Sequence, residues 1–228
     1  FFINRRVILV TGERRTGKTF ISRSIAKTLS CYGIKTLLID NSKYRNLNEC
    51  YMFLNENQRL GCSNFVKGGK LGDCIVNVNK YFDFLGLEYE YARDYDINTL
   101  LENVLSIDKY KAVIVDSSNE DLLRLNKILL NVLTVLNVFD SEVVLNTVMD
   151  LDNLKTVLNI KFILNKAQDV KSLKKFVLKT LDGLQCNSNI IDYMKQFIVY
   201  PYIKDLTLNY PEKDVDLVLN NKFLKQIL

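Results

Sequence analysis

The chain has 228 residues and a formal net charge of +5, with 48% hydrophobic and 25% charged residues, a balance typical of a folded globular protein rather than a disordered one. It contains no histidine, which excludes His-based catalytic triads and the common zinc sites. No apolar run has the length of a transmembrane helix, and no signal peptide is visible. The five cysteines form no Cys-x-x-Cys pair, so free thiols in the cytoplasm are expected.

Short apolar runs alternate with helical patterns along the chain. The runs predict strands at 7–11, 35–40, 82–88, 110–118, 142–149, 160–166 and 196–202. A helix follows the first strand and ends at Gly33, the run 122–139 is interpreted as helical, and a last helix is predicted within 213–228. Continuous apolar strands separated by helices predict an α/β fold: a mostly parallel sheet of about seven strands with helices on both faces, in three layers. We expect one domain over residues 1–228, and the start at Phe1 without methionine leaves room for an upstream domain.

A glycine-rich loop, "GERRTGKT", stands between the first strand and its helix. Gly12 and Gly17 allow backbone N–H groups to turn towards phosphate oxygens. Lys18 would place its charge on the β- and γ-phosphates, and Thr19 would offer its hydroxyl to Mg²⁺. The pattern therefore predicts a nucleotide site formed by Gly12, Glu13, Arg14, Arg15, Thr16, Gly17, Lys18, Thr19 and Phe20.

Polar side chains close three later strands. Asp40 and Asp116 end apolar runs, and in a parallel sheet they would lie at the ligand-binding edge with the glycine-rich loop. Together with Thr19 they are the candidate Mg²⁺ ligands, and helix capping is the alternative role for the two acids. Asn165 could read a base edge through its amide or serve as a turn residue.

Six segments in the same order resemble the ParA/MinD family of dimerising ATPases, the deviant Walker A branch of P-loop proteins. They are "VILVTGERRTGKT", "GIKTLLIDNSKYRNL", "GCSNFVKGGKLGDCIVNV", "YKAVIVDSS", "FILNK" and "FIVYPYIKDL". The resemblance covers nearly the whole chain. It implies ATP and Mg²⁺ held between two subunits of a homodimer, with hydrolysis resetting a monomer–dimer switch.

The sequence departs from that family at two positions. The family's signature lysine is replaced by Glu13, and the acid that positions the attacking water is replaced by Ser42. Arg14 and Arg15 could supply the missing positive charge or could lie on a solvated surface. We therefore expect a Mg-ATP-binding switch with slow or absent hydrolysis, in which Lys18, Arg14 and Arg15 are the candidate catalytic residues.

The resemblance also frames the alternatives. A TadZ-like localisation factor, which positions a pilus or secretion assembly with a protein partner, agrees with the two departures. A bacterial tyrosine-kinase-like domain would suit Arg45, but the chain ends without a tyrosine cluster. A scaffold that keeps the fold without nucleotide is a third reading.

Two surfaces carry predictions about partners. The final segment 213–228 could bind a membrane peripherally, as in MinD-like proteins, or pack as an ordinary closing helix. Four lysines share one side of a helix and could contact DNA phosphates or simply be solvated: Lys171, Lys174, Lys175 and Lys179.

Overall fold

The computed structural model describes residues 6–41, 70–86, 96–126, 128–129, 133–151, 159–167, 169–184, 189–201 and 221–227. Eight strands in this part of the chain form a single sheet. They are β1 (Arg6–Gly12), β2 (Thr36–Asp40), β3 (Val76–Asn79), β4 (Phe82–Gly86), β5 (Ala112–Asp116), β6 (Leu133–Phe139), β7 (Ile160–Ala167) and β8 (Ile198–Pro201).

The strand order across the sheet is β3-β4-β2-β5-β1-β6-β7-β8. Every neighbouring pair is parallel except β3 and β4, which are antiparallel. β1 therefore lies inside the sheet, between β5 and β6, and the loop that follows it opens at the carboxyl edge. The prediction of a mostly parallel α/β sheet is confirmed.

Helices cover both faces of the sheet. They are α1 (Lys18–Cys31), α2 (Ile97–Leu105), α3 (Asn119–Arg124), α4 (Val144–Leu151), α5 (Val170–Asp182), α6 (Asn189–Lys195) and α7 (Asn221–Ile227), with a short 3₁₀ helix at Leu71–Cys74. Buried residues of α1 and α7 join one core cluster, and buried residues of α2 to α6 join the other. The arrangement is a three-layer α/β/α architecture.

Successive side chains of a strand belong alternately to these two clusters. Ile8 and Val10 of β1 belong to the α1 side, and Val7 and Leu9 belong to the opposite side. All four are buried, because successive side chains of a strand point to opposite faces and both faces are covered. The continuous apolar runs of the sequence follow from this double burial.

The strand predicted at 142–149 is wrong, since the structure has α4 (Val144–Leu151) there. The buried residues of this helix are Val144, Thr147, Val148 and Leu151, which is a helical spacing. Three valines in the segment 142–149 gave it the composition of a strand and concealed that spacing.

The helical interpretation of 122–139 is wrong for its second half. α3 ends at Arg124, and the segment Leu133–Phe139 is β6, which lies between β1 and β7. A strand buried on both faces has no alternation that distinguishes it from a buried helix, so its leucine and valine content decided the prediction wrongly. The edge strand β3 (Val76–Asn79) was also not predicted.

The end of the chain packs into the core. Phe223 and Leu224 of α7 are buried, and the Phe223 ring meets the Tyr200 ring edge-on at 5.0 Å between centroids. Lys161 of β7 donates a hydrogen bond to the Gln226 carbonyl at 3.0 Å. These contacts agree with a closing helix, while residues 213–220 lie outside the described residues. Within the described chain, no helix is both long enough and apolar enough to cross a membrane.

Candidate functional site

Three parallel strands bring the predicted polar residues together at one edge of the sheet. Asp40 at the end of β2 pairs in register with Asp116 at the end of β5, and Val10 of β1 pairs with Asp116 from the other side. The loop from Gly12 to Thr19 starts where β1 ends. The structure therefore places the loop and both acids at a common edge, as the sequence predicted.

Backbone crowding explains both glycines of the loop. Gly12 has φ 144° and a Cβ there would lie 2.1 Å from the Val138 carbonyl oxygen. Gly17 has φ 92° and a Cβ there would lie 2.2 Å from Asn165 Nδ2. Both positions combine a positive φ with a close neighbour, so only glycine fits without displacement.

Hydrogen bonds from Thr16 and Asn165 hold the loop in shape. The buried Thr16 donates its Oγ1 hydrogen to the Glu13 carbonyl at 2.9 Å, which closes the turn. Asn165 Nδ2, from β7, donates to the Thr16 carbonyl at 2.8 Å. The structure thus shows the Asn165 amide bound to the loop, and its reading of a base edge stays a prediction.

Lys18 places a positive charge at the loop. The Lys18 ammonium lies over the turn and donates to the Glu13 carbonyl at 3.3 Å. Lys18 and Thr19 form the first residues of α1, whose amino-terminal N–H groups and helix dipole favour an anion at this point. A 14-residue helix provides the full dipole effect, so the loop is suited chemically to an anion such as a phosphate.

Asp116 is a buried acid without a partner. Its side chain is fully buried, and neither carboxyl oxygen has a hydrogen-bond partner among the residues that the structure describes. Burial and the neighbouring Asp40 raise the pKa of Asp116 to about 7, against the opposing influence of Thr19, Lys18 and Ser22. The Ser22 hydroxyl already donates to the Lys18 carbonyl at 2.9 Å. A cation bound beside Asp116 would remove the cost of this isolated charge.

Glu13 has another acid as a neighbour. Hydrogen bonding to Asp150, near the end of α4, together with burial and the Asp150 charge, raises the pKa of Glu13. The Arg14 backbone N–H and the Lys18 charge oppose the shift. The sequence prediction missed Asp150, since the contact depends on α4 being a helix.

A chain of amide side chains connects Asp150 to the sheet. Asn119 of α3 donates to Asp150 Oδ2 at 3.2 Å, and buried Asn137 of β6 donates Nδ2 to Asn119 Oδ1 at 2.9 Å. Asn137 Nδ2 also lies 3.2 Å from Thr11 Oγ1, one residue before the loop. No motif in the sequence marked these residues, because they are distant in the chain and meet only in the fold.

The remaining predicted residues occupy varied positions. Arg14 and Arg15 are exposed, and Arg15 has φ 65°, a left-handed conformation that is uncommon for arginine. The Phe20 ring packs edge-on against Tyr200 at 5.7 Å. Ser42 and Arg45 lie outside the described residues. The four lysines of α5 are exposed, and contact with DNA phosphates stays a prediction: Lys171, Lys174, Lys175 and Lys179.

Neither a protein-family model nor a curated protein sequence matches the chain. Solved structures do match its fold. A plasmid partition protein from Borrelia burgdorferi B31 bound to AMPPNP superposes with a TM-score of 0.67 and 18% identity, over 98% of this chain and 100% of that one. The MinC:MinD cell division complex of Aquifex aeolicus gives 0.61 and 20%, over 93% and 85%.

A third match is an enzyme. Cobyrinic acid a,c-diamide synthase from Mycobacterium smegmatis, with bound ATP analog and magnesium, gives a TM-score of 0.60 and 16% identity, over 79% of this chain and 83% of that chain. The structural neighbours of this chain are thus ParA/MinD-type P-loop ATPases. At these identities the likeness shows the fold and leaves activity to be argued from the site.

Proposed function

We propose that this chain is a ParA/MinD-type P-loop protein that binds Mg-ATP in the loop from Gly12 to Thr19 and dimerises when ATP is bound. The dimer would position or regulate a larger assembly through a protein partner. Hydrolysis would be slow or absent. The TadZ-like branch stays a prediction within this proposal.

The observation that carries the proposal is the buried Asp116 carboxyl beside the loop, which has no hydrogen-bond partner among the residues that the structure describes. A fully buried acid without a hydrogen bond is rare, since burying an uncompensated charge is strongly unfavourable. Structural acids of a core are normally paired. An acid at a ligand-binding edge that has no partner of its own fits a protein that pairs with a metal–nucleotide complex.

The side chains present fit magnesium and phosphate. The Thr19 hydroxyl would bind Mg²⁺ directly, and Asp116 and Asp40 would hold it through water, because hard oxygen ligands are those that Mg²⁺ prefers. Lys18 and the N–H groups of the loop would bind the phosphates. Bound Mg²⁺ would neutralise phosphate charge and also offset the repulsion between Asp40 and Asp116.

Slow hydrolysis follows from what Glu13 can supply. A lysine at this position would add positive charge near the phosphates, and a glutamic acid cannot. The neighbouring Asp150 also raises the pKa of the Glu13 carboxyl group. Arg14 and Arg15 are exposed next to it and are the remaining candidates for charge stabilisation in the loop.

Fold neighbours support the nucleotide and the protein partner of the proposal. One is a plasmid partition protein with AMPPNP, another is a MinD in complex with MinC, and their overlap with this chain is nearly complete in the first case. Two exposed apolar side chains on one side of α4, Leu145 and Met149, are available for a protein contact.

The proposal is tested by titrating Mg-ATP into the protein in a calorimeter, with light scattering to measure molar mass. We expect Lys18→Ala to weaken Mg-ATP binding roughly thirtyfold, the loss of one charged hydrogen-bond donor worth about 2 kcal/mol. Lys27→Ala, further along α1, is the matched control and should bind as wild type. The molar mass should double with Mg-ATP and stay monomeric with Mg-ADP.

Other outcomes would favour the scaffold or the kinase-like reading. Equal binding by wild type and Lys18→Ala, or no binding at all, would contradict the nucleotide site and favour the scaffold. Phosphotyrosine on the purified protein after incubation with Mg-ATP would favour the kinase-like reading. Rapid turnover of Mg-ATP that is lost in Lys18→Ala would contradict slow hydrolysis alone.

A further inference from the structure

Two side chains next to the candidate metal-binding acids converge on a third acid. Asp40 and Asp116 end β2 and β5 in register. Asn41 follows the first of them and Ser117 follows the second. Asn41 Nδ2 donates to Asp121 Oδ2 at 3.3 Å, and the buried Ser117 hydroxyl donates to the same oxygen at 2.7 Å. Asp121, in the first turn of α3, therefore joins the ends of the two strands that carry the acids.

Helix capping explains only part of these contacts. Ser118 is the N-cap of α3, and its backbone N–H and its hydroxyl donate to Asp121 Oδ2 at 3.2 and 2.9 Å. The Asp121 N–H in turn donates to the Ser118 hydroxyl at 3.2 Å, which completes a capping box. This motif is complete without Asn41 and Ser117. Their hydrogen bonds to Asp121 are additional, and they connect α3 to the ends of β2 and β5.

The backbone just beyond the two acids is held as well. The Asn41 N–H donates to the Asp116 carbonyl at 2.9 Å, and the Ser117 N–H donates to the Val10 carbonyl at 2.9 Å. These bonds extend the pairing of β2, β5 and β1 past the last residues in register. Two like charges side by side repel each other. The backbone bonds and the side-chain contacts to α3 hold the strand ends together against that repulsion.

Asp121 also takes up the hydroxyl that follows Asp116 in the chain. The Ser117 hydroxyl has one hydrogen to donate, so it cannot serve both acids, and in the structure it serves Asp121. Neither carboxyl oxygen of Asp116 has a hydrogen-bond partner among the described residues. The contact thus keeps the Ser117 hydroxyl away from the carboxyl group that is proposed to hold the metal.

We propose that Asp121 is a positioning residue of the magnesium site. Through Asn41 and Ser117 it holds the two preceding acids side by side, and it does not itself touch the ion. Mg²⁺ demands near-ideal octahedral geometry, so a small displacement of the groups around it weakens its binding. This inference rests on the proposed Mg-nucleotide function and adds to it the group that orients the metal-binding acids.

The test is how much Mg²⁺ strengthens ADP binding, measured by calorimetry as the ratio of the affinity with Mg²⁺ to the affinity with EDTA. Asn41→Ala removes one contact to Asp121, leaves the capping box and changes no charge. We expect the ratio to fall about tenfold in this variant, because groups that orient metal ligands have effects of that size. ADP affinity in EDTA should stay as in wild type. Ser118→Ala, which loses the cap but keeps the Asn41 and Ser117 contacts, is the matched control and should retain the wild-type ratio.

A double-mutant cycle separates action through Asp121 from a direct effect of Asn41 on the ion. Asp121→Ala should also lower the ratio. Adding Asn41→Ala to that variant should change the ratio little further, because the acceptor for the Asn41 amide is already gone. Losses that multiply in the double variant would show that Asn41 acts independently of Asp121 and would overturn the inference.

The remaining outcomes distinguish this inference from the function on which it rests. A wild-type ratio in Asn41→Ala, with normal ADP binding, would overturn the positioning role and leave the nucleotide site intact. An equal fall in Ser118→Ala would assign the effect to the capping of α3 and would also overturn that role. Failure of the wild-type protein to bind ADP, or binding that Mg²⁺ does not strengthen, would contradict the proposed function itself.

Discussion

Two buried acids in the same sheet have opposite surroundings. Asp83 in β4 is 1% exposed and Asp116 in β5 is 0% exposed, so the chain buries both to the same extent. Asp83 stands near the amino end of its strand, and Asp116 is the last residue of its strand. Burial alone therefore does not distinguish a structural acid from a functional one.

Asp83 is surrounded by donors. Its carboxyl accepts hydrogen bonds from Lys35 at 2.6 Å, Asn77 at 2.8 Å and Tyr110 at 2.8 Å, and Lys109 lies 3.1 Å away. Burial opposes its ionisation, but Lys35, Tyr110 and Lys109 outweigh that effect and lower the pKa of Asp83. This acid fastens β4 to its neighbours and needs no ligand.

Among the described residues, neither carboxyl oxygen of Asp116 has a hydrogen-bond partner. Burial and the charge of the neighbouring Asp40 raise the pKa of Asp116. The two ends of the sheet therefore treat a buried acid differently. At the amino end the fold provides partners for the buried charge, and at the carboxyl end Asp116 has no hydrogen-bond partner among the described residues, as the proposed metal–nucleotide site requires.

Replacing Asp116 should change the free energy of unfolding more than any other substitution considered below. Because its pKa is about 7 in the fold and 3.8 is its ordinary value, ionisation destabilises the folded state at pH above 7, by about 4 kcal/mol at most. Asp116→Asn should raise the free energy of unfolding by up to that amount in metal-free alkaline buffer. The gain should shrink as pH falls below 7 and disappear near 3.8.

Denaturant unfolding across pH measures this gain, with Asp192→Asn on the surface as control. A loss of stability in Asp116→Asn at alkaline pH would show that the buried carboxylate is compensated in the protein. The same variant should lose the Mg²⁺-dependent part of its nucleotide affinity.

Replacing Asp83 should have the opposite effect on stability. Asp83→Asn removes the charge that Lys35 and Lys109 face and weakens the bond to buried Tyr110, so we expect a loss of about 3 kcal/mol at neutral pH. Chemical denaturation measures it. Asp73→Asn, an exposed acid in the short 3₁₀ helix, should change stability little. Equal effects of Asp83→Asn and Asp116→Asn on the free energy of unfolding would remove the distinction between the two buried acids.

A smaller effect is expected in the loop itself. Arg15 adopts φ 65°, and a left-handed conformation costs a residue with a Cβ about 1 kcal/mol, which glycine does not incur. Arg15→Gly should therefore stabilise the protein by up to that amount in thermal unfolding. Arg14→Gly, at the neighbouring exposed position, should not stabilise the protein. An equal gain in stability in that variant would show that the effect comes from the lost positive charge.

The sequence predicted that the loop and the two acids would lie at one edge of the sheet because each of them is local to its strand. Gly12 to Thr19, Asp40 and Asp116 each follow an apolar run, and a parallel sheet brings such ends together whatever lies between them. Asp150, Asn119 and Asn137 could not be predicted in the same way. Their meeting depends on how α3 and α4 pack, and the valine-rich α4 was itself taken for a strand.

The bond between Asn165 and Thr16 has a consequence for the order of folding. It joins residues 149 positions apart, and the backbone of Gly17 is shaped around the same amide. At a synthesis rate of roughly 5–20 residues per second, Asn165 would be added about 7–30 s after Thr16. A nascent chain would therefore contain the whole glycine-rich loop early, but the loop would reach its folded shape only after β7 has been synthesised.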